Sequence, residues 1–375
     1  MGHLITLILL SLFSFVAAGG EINLTFVGDA MQHGPQIKAA RTANGGYDYT
    51  PCFKYVSDDI ANADFALVNL ECPLGGKPYS GYPNFSAPDE YAKHLKDIGF
   101  DFFVTANNHC LDRKDAGAKR TIKQLNALHI PHTGTYLNEA ARDSLCPHIV
   151  EVKGMRMAIL SYTYGTNGIE IQGKLVVDYI NRNRIARDIA KARDAKADII
   201  CVCMHWGIEY KMLPVDSQRS LADFLVDQGV DLIIGSHPHV VEPMEMRYSE
   251  KWNKKVLLVY SLGNFISNQN GTDSRGGAMV KVKLQKAIDG KVSLTNAGYK
   301  LFFCQKPAGM GDNYQLIPCG MDHLIRPDSR DAYDAFLRNA HNILNKHNID
   351  VPEITSLQPF QLPQFIFPAQ TSENP

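Results

Sequence analysis

The chain carries no surplus of charge: 38 Lys and Arg stand against 39 Asp and Glu in 375 residues. Neither nucleic acid nor an anionic membrane surface therefore has a reason to bind the protein as a whole. No internal repeat or low-complexity segment divides the sequence, and beyond residue 18 no stretch is long and apolar enough to span a bilayer. There is no ATP-binding loop, so the chain cannot drive a polymerisation by itself. Its eight cysteines lack the paired spacing of a zinc site. Cys201 and Cys203 alternate within one apolar run, as small core residues do, while Cys52, Cys72, Cys110, Cys146, Cys304 and Cys319 are scattered. Mostly reduced, buried thiols are expected, with one disulfide among Cys52, Cys72 and Cys110 left open. A specific site, not bulk charge, must carry the function.

An uninterrupted apolar run opens the chain and ends in Val16-Ala17-Ala18, small residues suited to signal-peptidase cleavage. No Lys or Arg precedes it, and no Cys follows it to take a lipid. Residues 1–18 are predicted to be an export signal, with a retained anchor as the alternative. The mature protein is then expected in the periplasm, outside the cell or in the cell envelope. Residues 19–350 read as one domain, and 351–375 as a Pro-rich tail without periodicity.

Within the domain, short β-rich runs alternate with helical patterns. Strands are predicted at 22–27, 65–69, 102–105, 157–162, 199–204, 232–234 and 256–260. Helices are predicted at 55–62, 89–98, 115–128, 181–195, 216–227 and 328–346, with Gly99 and Gly229 where stops belong. Residues 277–303 carry β-rich runs around Asp289-Gly290, a hairpin turn signal. The class is α/β, a pair of sheets flanked by helices.

Polar residues collect where the strands end. Asp29 follows the first, Glu71 the second and Asn107-Asn108-His109 the third; His205 follows 199–204, and His237-Pro238-His239 follows 232–234. Ligands of open α/β sheets bind at the carboxyl ends of strands, so five segments deliver polar groups to one edge. Two carboxylates, one amide and three imidazoles form an O/N donor set suited to Zn, Mn or Fe. Six donors exceed one tetrahedral zinc site but match two divalent ions about 3.5–4 Å apart with a bridging carboxylate. Phosphoryl transfer suits that arrangement best.

The motifs Gly28-Asp29-Ala30-Met31, Asn69-Leu70-Glu71, Ala106-Asn107-Asn108-His109, His205-Trp206-Gly207-Ile208-Glu209-Tyr210, Gly235-Ser236-His237-Pro238-His239-Val240 and Tyr260-Ser261-Leu262-Gly263-Asn264-Phe265 occur in one order over residues 22–283. In this the chain resembles the CapA (poly-γ-glutamate capsule synthesis) family, itself similar to calcineurin-like metallophosphoesterases. The resemblance implies a four-layer α-β-β-α sandwich. It implies Asp29 and His239 on a first metal, Glu71 as the bridge, and Asn108, His205 and His237 on a second. His109 would be the acid that protonates the leaving group, and Asp112 either orients it or caps the helix from 115. One departure stands out: the phosphoesterases keep a metal-binding His two residues after the Asp, where this chain has Met31, and His33 is the nearby substitute. Asn264 is a candidate for contacting a substrate oxygen and Arg275 for meeting a carboxylate or phosphate. Trp206 and Tyr210 either line the mouth or pack. The substrate is expected to be a phosphoester or an anionic envelope polymer, with capsule-synthesis membrane proteins as partners and no nucleic acid.

Overall fold

The computed structural model describes residues 20–354, so the proposed export signal and all but the first residues of the proposed tail lie outside the described residues. Two sheets form the centre. The first runs in the order Gln315–Pro318, Val292–Gln305, Gly276–Lys286, Glu21–Ala30, Phe65–Leu70, Phe102–Val104, His132–Thr133, with Asn264–Ile266 paired to the end of Glu21–Ala30. The second runs Met244–Ser249, Lys254–Val259, Leu232–Ser236, Ile199–His205, Met155–Thr163, His148–Val152. In each sheet the strands that carry the polar residues are parallel, and antiparallel strands flank them.

The period of two along each strand divides apolar residues between two environments. Ile22, Leu24, Phe26, Phe65 and Leu67 of the first sheet face Ile159, Ile199, Cys201, Cys203 and Leu232 of the second, in one core between the sheets. Their alternate neighbours Val27, Ala66 and Val68 lie under Phe53, Ile60, Tyr91 and Leu95 of the outer helices. On the far side Ile200, Val202 and Met204 lie under Ile185, Ile189, Leu221 and Leu225, from the helices Arg182–Asp194 and Asp216–Asp227. The order of layers is α-β-β-α, as expected. With both faces covered, the parallel strands are apolar almost throughout, and each buried Leu or Phe contributes about 1.5–3 kcal/mol. The closing helix Arg330–His347 places Tyr333, Phe336, Ala340 and Leu344 in the inter-sheet core.

The long elements sit within a few residues of their predicted bounds. Asp89–Asp97 carries Asp89 and Glu90 in its first turn and His94 and Lys96 in its last, matching the helix dipole. It ends at the cap residue Ile98, just before Gly99. The hairpin Gly276–Lys286 and Val292–Gln305 turns at Asp289-Gly290. The helices Gly34–Ala40, Thr50–Phe53 and Glu139–Leu145 and the edge strands His148–Val152, Met244–Ser249 and Gln315–Pro318 were not predicted. Each is too short, or too evenly half-exposed, to show a period. Residues 351–354 lie alongside Tyr299, whose N–H donates to Pro352 O and whose carbonyl accepts the Ile354 N–H. All eight cysteines are free thiols, seven of them buried.

Candidate metal centre

Because the central strands of both sheets run parallel, their carboxyl ends meet along one edge. Asp29 lies within Glu21–Ala30, Glu71 directly after Phe65–Leu70, and Asn108 in the loop after Phe102–Val104. His205 ends Ile199–His205, and His237 and His239 follow Leu232–Ser236. Close backbone contact draws these ends together. A Cβ at Gly28 would stand 1.9 Å from Gly263 O, and one at Gly235 1.9 Å from Tyr260 O, so only glycine fits either position.

All six residues are at most 3% exposed. Donor atoms of Asp29, Glu71 and His239 lie within 4.8 Å of one another, and so do those of Glu71, His205 and His237. Glu71 belongs to both groups, with Oε1 3.5 Å from His205 Nε2 and 3.8 Å from His239 Nε2. Asn108 Oδ1 lies 2.8 Å from His205 Nε2. The sequence-predicted ligands therefore share one cluster.

The cluster is unfinished by protein alone. Both oxygens of Glu71 are buried with no hydrogen-bond partner, and so is Nδ1 of His237. A buried polar group left unpaired costs about 1–3 kcal/mol, and more when charged. Divalent cations fit these residues: the orphaned atoms are oxygen and imidazole nitrogen, and Glu71 and His237 each offer a donor to one group. His237 and His239 have φ of 99° and 60°, backbone strain that persists where surroundings over-determine it.

Neighbouring side chains orient the donors. Asn264 donates from Nδ2 to Ser274 O (2.8 Å) and His239 O (3.3 Å), so its Oδ1 accepts from His239 Nδ1 at 3.0 Å. That tautomer leaves His239 Nε2 with its lone pair towards Glu71. Ser236 Oγ lies 2.9 Å from His205 Nδ1. Asn69 donates to Asp29 Oδ1 at 2.7 Å and accepts from Asn107 at 3.2 Å. The His237 N–H donates to Asp29 Oδ2 at 3.2 Å.

Electrostatics agree with ligand roles. Burial alone would raise the Asp29 carboxyl, but the hydrogen bond and charge of His239 hold it well below the ordinary range. Burial, followed by the Asp29 charge, pushes Glu71 well up. Burial and the neighbouring imidazole lower His205 strongly and bring His237 down to about 3. Neutral imidazole is the form that binds a metal.

His109 stands beside the cluster. Its Nδ1 lies 2.8 Å from Asp112 Oδ2, which also accepts the Phe85 N–H at 2.8 Å, and the Phe85 ring packs edge-on against the imidazole. Asp112 orients His109 and does not cap the following helix, whose cap is Arg113. A mouth of about 260 Å³ opens here, lined by Met31, His33, Tyr82, His109, Glu209 and Tyr210 among others, with Asn268, Gln269 and Asn270 on one side. None of its lining residues is Lys or Arg.

Other expected residues are placed differently. His33 lines the mouth but joins none of the ligand groups among the described residues; its Nδ1 accepts the Asn268 N–H at 3.2 Å. Asn264 is fully buried, its amide engaged by His239, Ser274 O and the mouth residue Gln269, to whose Oε1 it donates at 2.8 Å. Arg275 lies over the Phe303 ring, 4.8 Å from its centre. Trp206 packs, its Nε1–H on Tyr260 O at 2.8 Å, while Tyr210 lines the mouth. Three residues were missed. Glu209 forms a further group with His237 and His239; it lies inside a quoted motif, so a signal existed. The Tyr164 ring lies tilted 4.5 Å from that of His237 and Asn167 accepts from Asn108 at 3.2 Å, both from a loop that no motif marks.

A family model described as "Bacterial capsule synthesis protein PGA_cap" matches residues 23–269. The "Capsule biosynthesis protein CapA" of Bacillus anthracis is 31% identical over 276 residues, 71% of this chain and 64% of that protein. The "PGA biosynthesis protein CapA" of Bacillus subtilis (strain 168) is 31% identical over 287 residues, 73% of this chain and 70% of that protein. The chain thus spans just under two thirds of the first relative's length. Among solved structures, Haemophilus influenzae NAD nucleotidase (NadN) aligns at 14% identity and TM-score 0.49 over 88% of this chain and 64% of its own. The 5'-nucleotidase precursor of Thermus thermophilus aligns at 13% identity and TM-score 0.46 over 86% and 59%.

Proposed function

The chain belongs to the bacterial capsule synthesis protein family PGA_cap, and from that premise we propose that it is a metal-dependent hydrolase of the cell envelope. Its substrate would be a phosphoester, or an amide or γ-glutamyl bond of an envelope polymer. The observation that carries the reading is the Glu71 carboxylate, sealed among His205, His237 and His239 with neither oxygen paired, beside a His109–Asp112 pair that opens on the same mouth. Asp29 and His239 would hold one Mn, Zn or Fe ion and Asn108, His205 and His237 a second, with Glu71 shared. Such ions polarise a phosphoryl or carbonyl oxygen and lower the pKa of water.

The chain's own residues supply the rest. In hydrolysis the oxygen of water bonds to phosphorus or carbonyl carbon, the bond to the leaving oxygen or nitrogen breaks, and that atom needs a proton. His109, as the imidazolium with its Nδ1–H on Asp112, would give that proton from Nε2, and the proton released by the attacking water restores the charged ring in the next cycle. Asn264 and Ser236 keep the imidazoles of His239 and His205 in position throughout.

The test is metal analysis of the purified protein together with turnover of a panel of phosphoesters and γ-glutamyl peptides. Wild type should carry close to two metal ions and turn over at least one compound. His109→Asn should keep the metal and lose about 10²–10⁴-fold in kcat, with little change in KM. Metal-loaded wild type that turns over none of them would defeat the hydrolase reading. A second reading, capsule assembly without hydrolysis and with membrane partners, is favoured by Met31, which stands buried where a further ligand is wanted. Export belongs to both readings, and the mature protein should begin near Gly19 or Gly20 on N-terminal sequencing. An intact Met1 in a soluble cytoplasmic fraction would contradict it.

A further inference from the structure

Glu209 lies on the short loop after Ile199–His205, and that loop is pinned at both ends. The Trp206 N–H donates to Ser236 O at 3.1 Å, and the Tyr210 N–H donates to Pro238 O at 2.8 Å. Pro238 is the residue between the two imidazoles of the His-Pro-His turn, so the loop holds the Glu209 carboxylate against them. One of its oxygens and one ring nitrogen each of His237 and His239 all lie within 4.8 Å of one another. Glu209 is exposed, lines the mouth and makes no hydrogen bond or ion pair of its own among the described residues. His237 is only 3% exposed, yet its Nδ1 has no partner. Met31, at the position where the resemblance to metallophosphoesterases puts a ligand imidazole, is buried and lines the same mouth. A thioether is a soft donor that a hard divalent ion such as Mn²⁺ does not seek, whereas a carboxylate suits it.

We infer that Glu209 is a metal ligand that closes the centre from the solvent side, giving the ion on His239 the donor that Met31 withholds. The inference rests on the metal centre set out under Proposed function. It moves one ligand from the buried strand ends to a loop at the mouth, so one ion is held partly by the surface that meets the substrate. With Asp29, Glu71 and Glu209 the centre has three carboxylates, and no Lys or Arg lines the entrance.

The experiment is a Mn²⁺ titration of the full, metal-stripped protein, following free Mn²⁺ by electron paramagnetic resonance and heat by calorimetry, for wild type, Glu209→Gln and His239→Ala. Glu209→Gln alters an exposed residue, and its metal-free melting temperature should match wild type. It should weaken one of two Mn²⁺ equivalents by at least about 10–100-fold, as loss of even an indirect partner does, and leave the other within about twofold. His239→Ala should lose the same equivalent. Two unchanged affinities in Glu209→Gln, beside a defect in His239→Ala, would overturn the role of Glu209 while leaving the metal centre standing. A wild type that takes up no Mn²⁺ would overturn both.

Discussion

Two clusters of charge are sealed inside this molecule and finished in opposite ways. Under the outer helices of the second sheet, Arg142 is 3% exposed and bonds Asp178 and Asp188, and the Tyr162 hydroxyl donates to Asp188 at 2.9 Å. Each carboxylate there engages the guanidinium, although one oxygen of Asp178 stays unpaired. At the strand ends, Glu71 is just as buried and neither of its oxygens accepts a hydrogen bond. The first cluster has its own counter-charge and ties the loop before Arg182–Asp194 to the helix Glu139–Leu145. The second is complete only with something added. Burial alone therefore does not mark a functional site; a carboxylate with both oxygens left unbonded among buried imidazoles does.

Mutation should separate the two clusters. The largest effect is expected from Arg142→Met, which strands two buried carboxylates and should cost about 3–5 kcal/mol in urea unfolding, equally with and without Mn²⁺. A loss below about 1 kcal/mol would mean that the cluster relaxes or hydrates and that the contrast is false. Glu71→Gln should shift metal-stripped protein by less than about 1 kcal/mol, because burial and the Asp29 charge already favour the neutral carboxyl and the amide keeps its shape. It should also abolish the rise in melting temperature that Mn²⁺ gives wild type. If Glu71→Gln destabilises the stripped protein as Arg142→Met does, Glu71 is structural.

A third buried carboxylate lies between these extremes and titrates in an accessible range. Glu242 is fully buried, accepts from Gln218 Nε2 at 2.7 Å with one oxygen, and leaves the other unpaired. Burial pushes its carboxyl up to about 8, against the opposing Gln218 hydrogen bond and Arg219 charge. The folded protein then keeps a proton that the unfolded chain releases near 4.5, the ordinary glutamate value. The stabilisation is whole below that value and is lost as pH rises towards about 8. The slope is at most about 1.4 kcal/mol per pH unit. Glu242→Gln, a neutral amide of the same shape, should flatten the dependence of the urea midpoint between pH 5 and 8. An unchanged slope would place the titration elsewhere.

The long elements of the fold were legible because both faces of the parallel strands are covered. Runs such as Ile199–His205 and Phe65–Leu70 are apolar throughout, and their ends show where polarity returns. Glu71 was legible for that reason, as a carboxylate closing an apolar strand. His237 and His239 were legible as two imidazoles one residue apart. The short edge elements were not, since four or five half-exposed residues carry no period.

What the sequence determined by itself was therefore local: which segments are strands, on which face each apolar residue lies, and that six metal-type donors stand at strand ends. These follow from the period of two and from the cost of burying backbone and charge, both of which act over a few residues. Only the tertiary structure decided which way each loop returns. It turned Asn264 inward to His239, set the Asp112 carboxylate on His109 by starting the next helix at Lys114, and laid Arg275 over Phe303. It also brought Glu209 and Tyr164 to the imidazoles. Those placements depend on hydrogen bonds such as Tyr210 N–H to Pro238 O, between residues 28 positions apart, whose geometry no local pattern encodes.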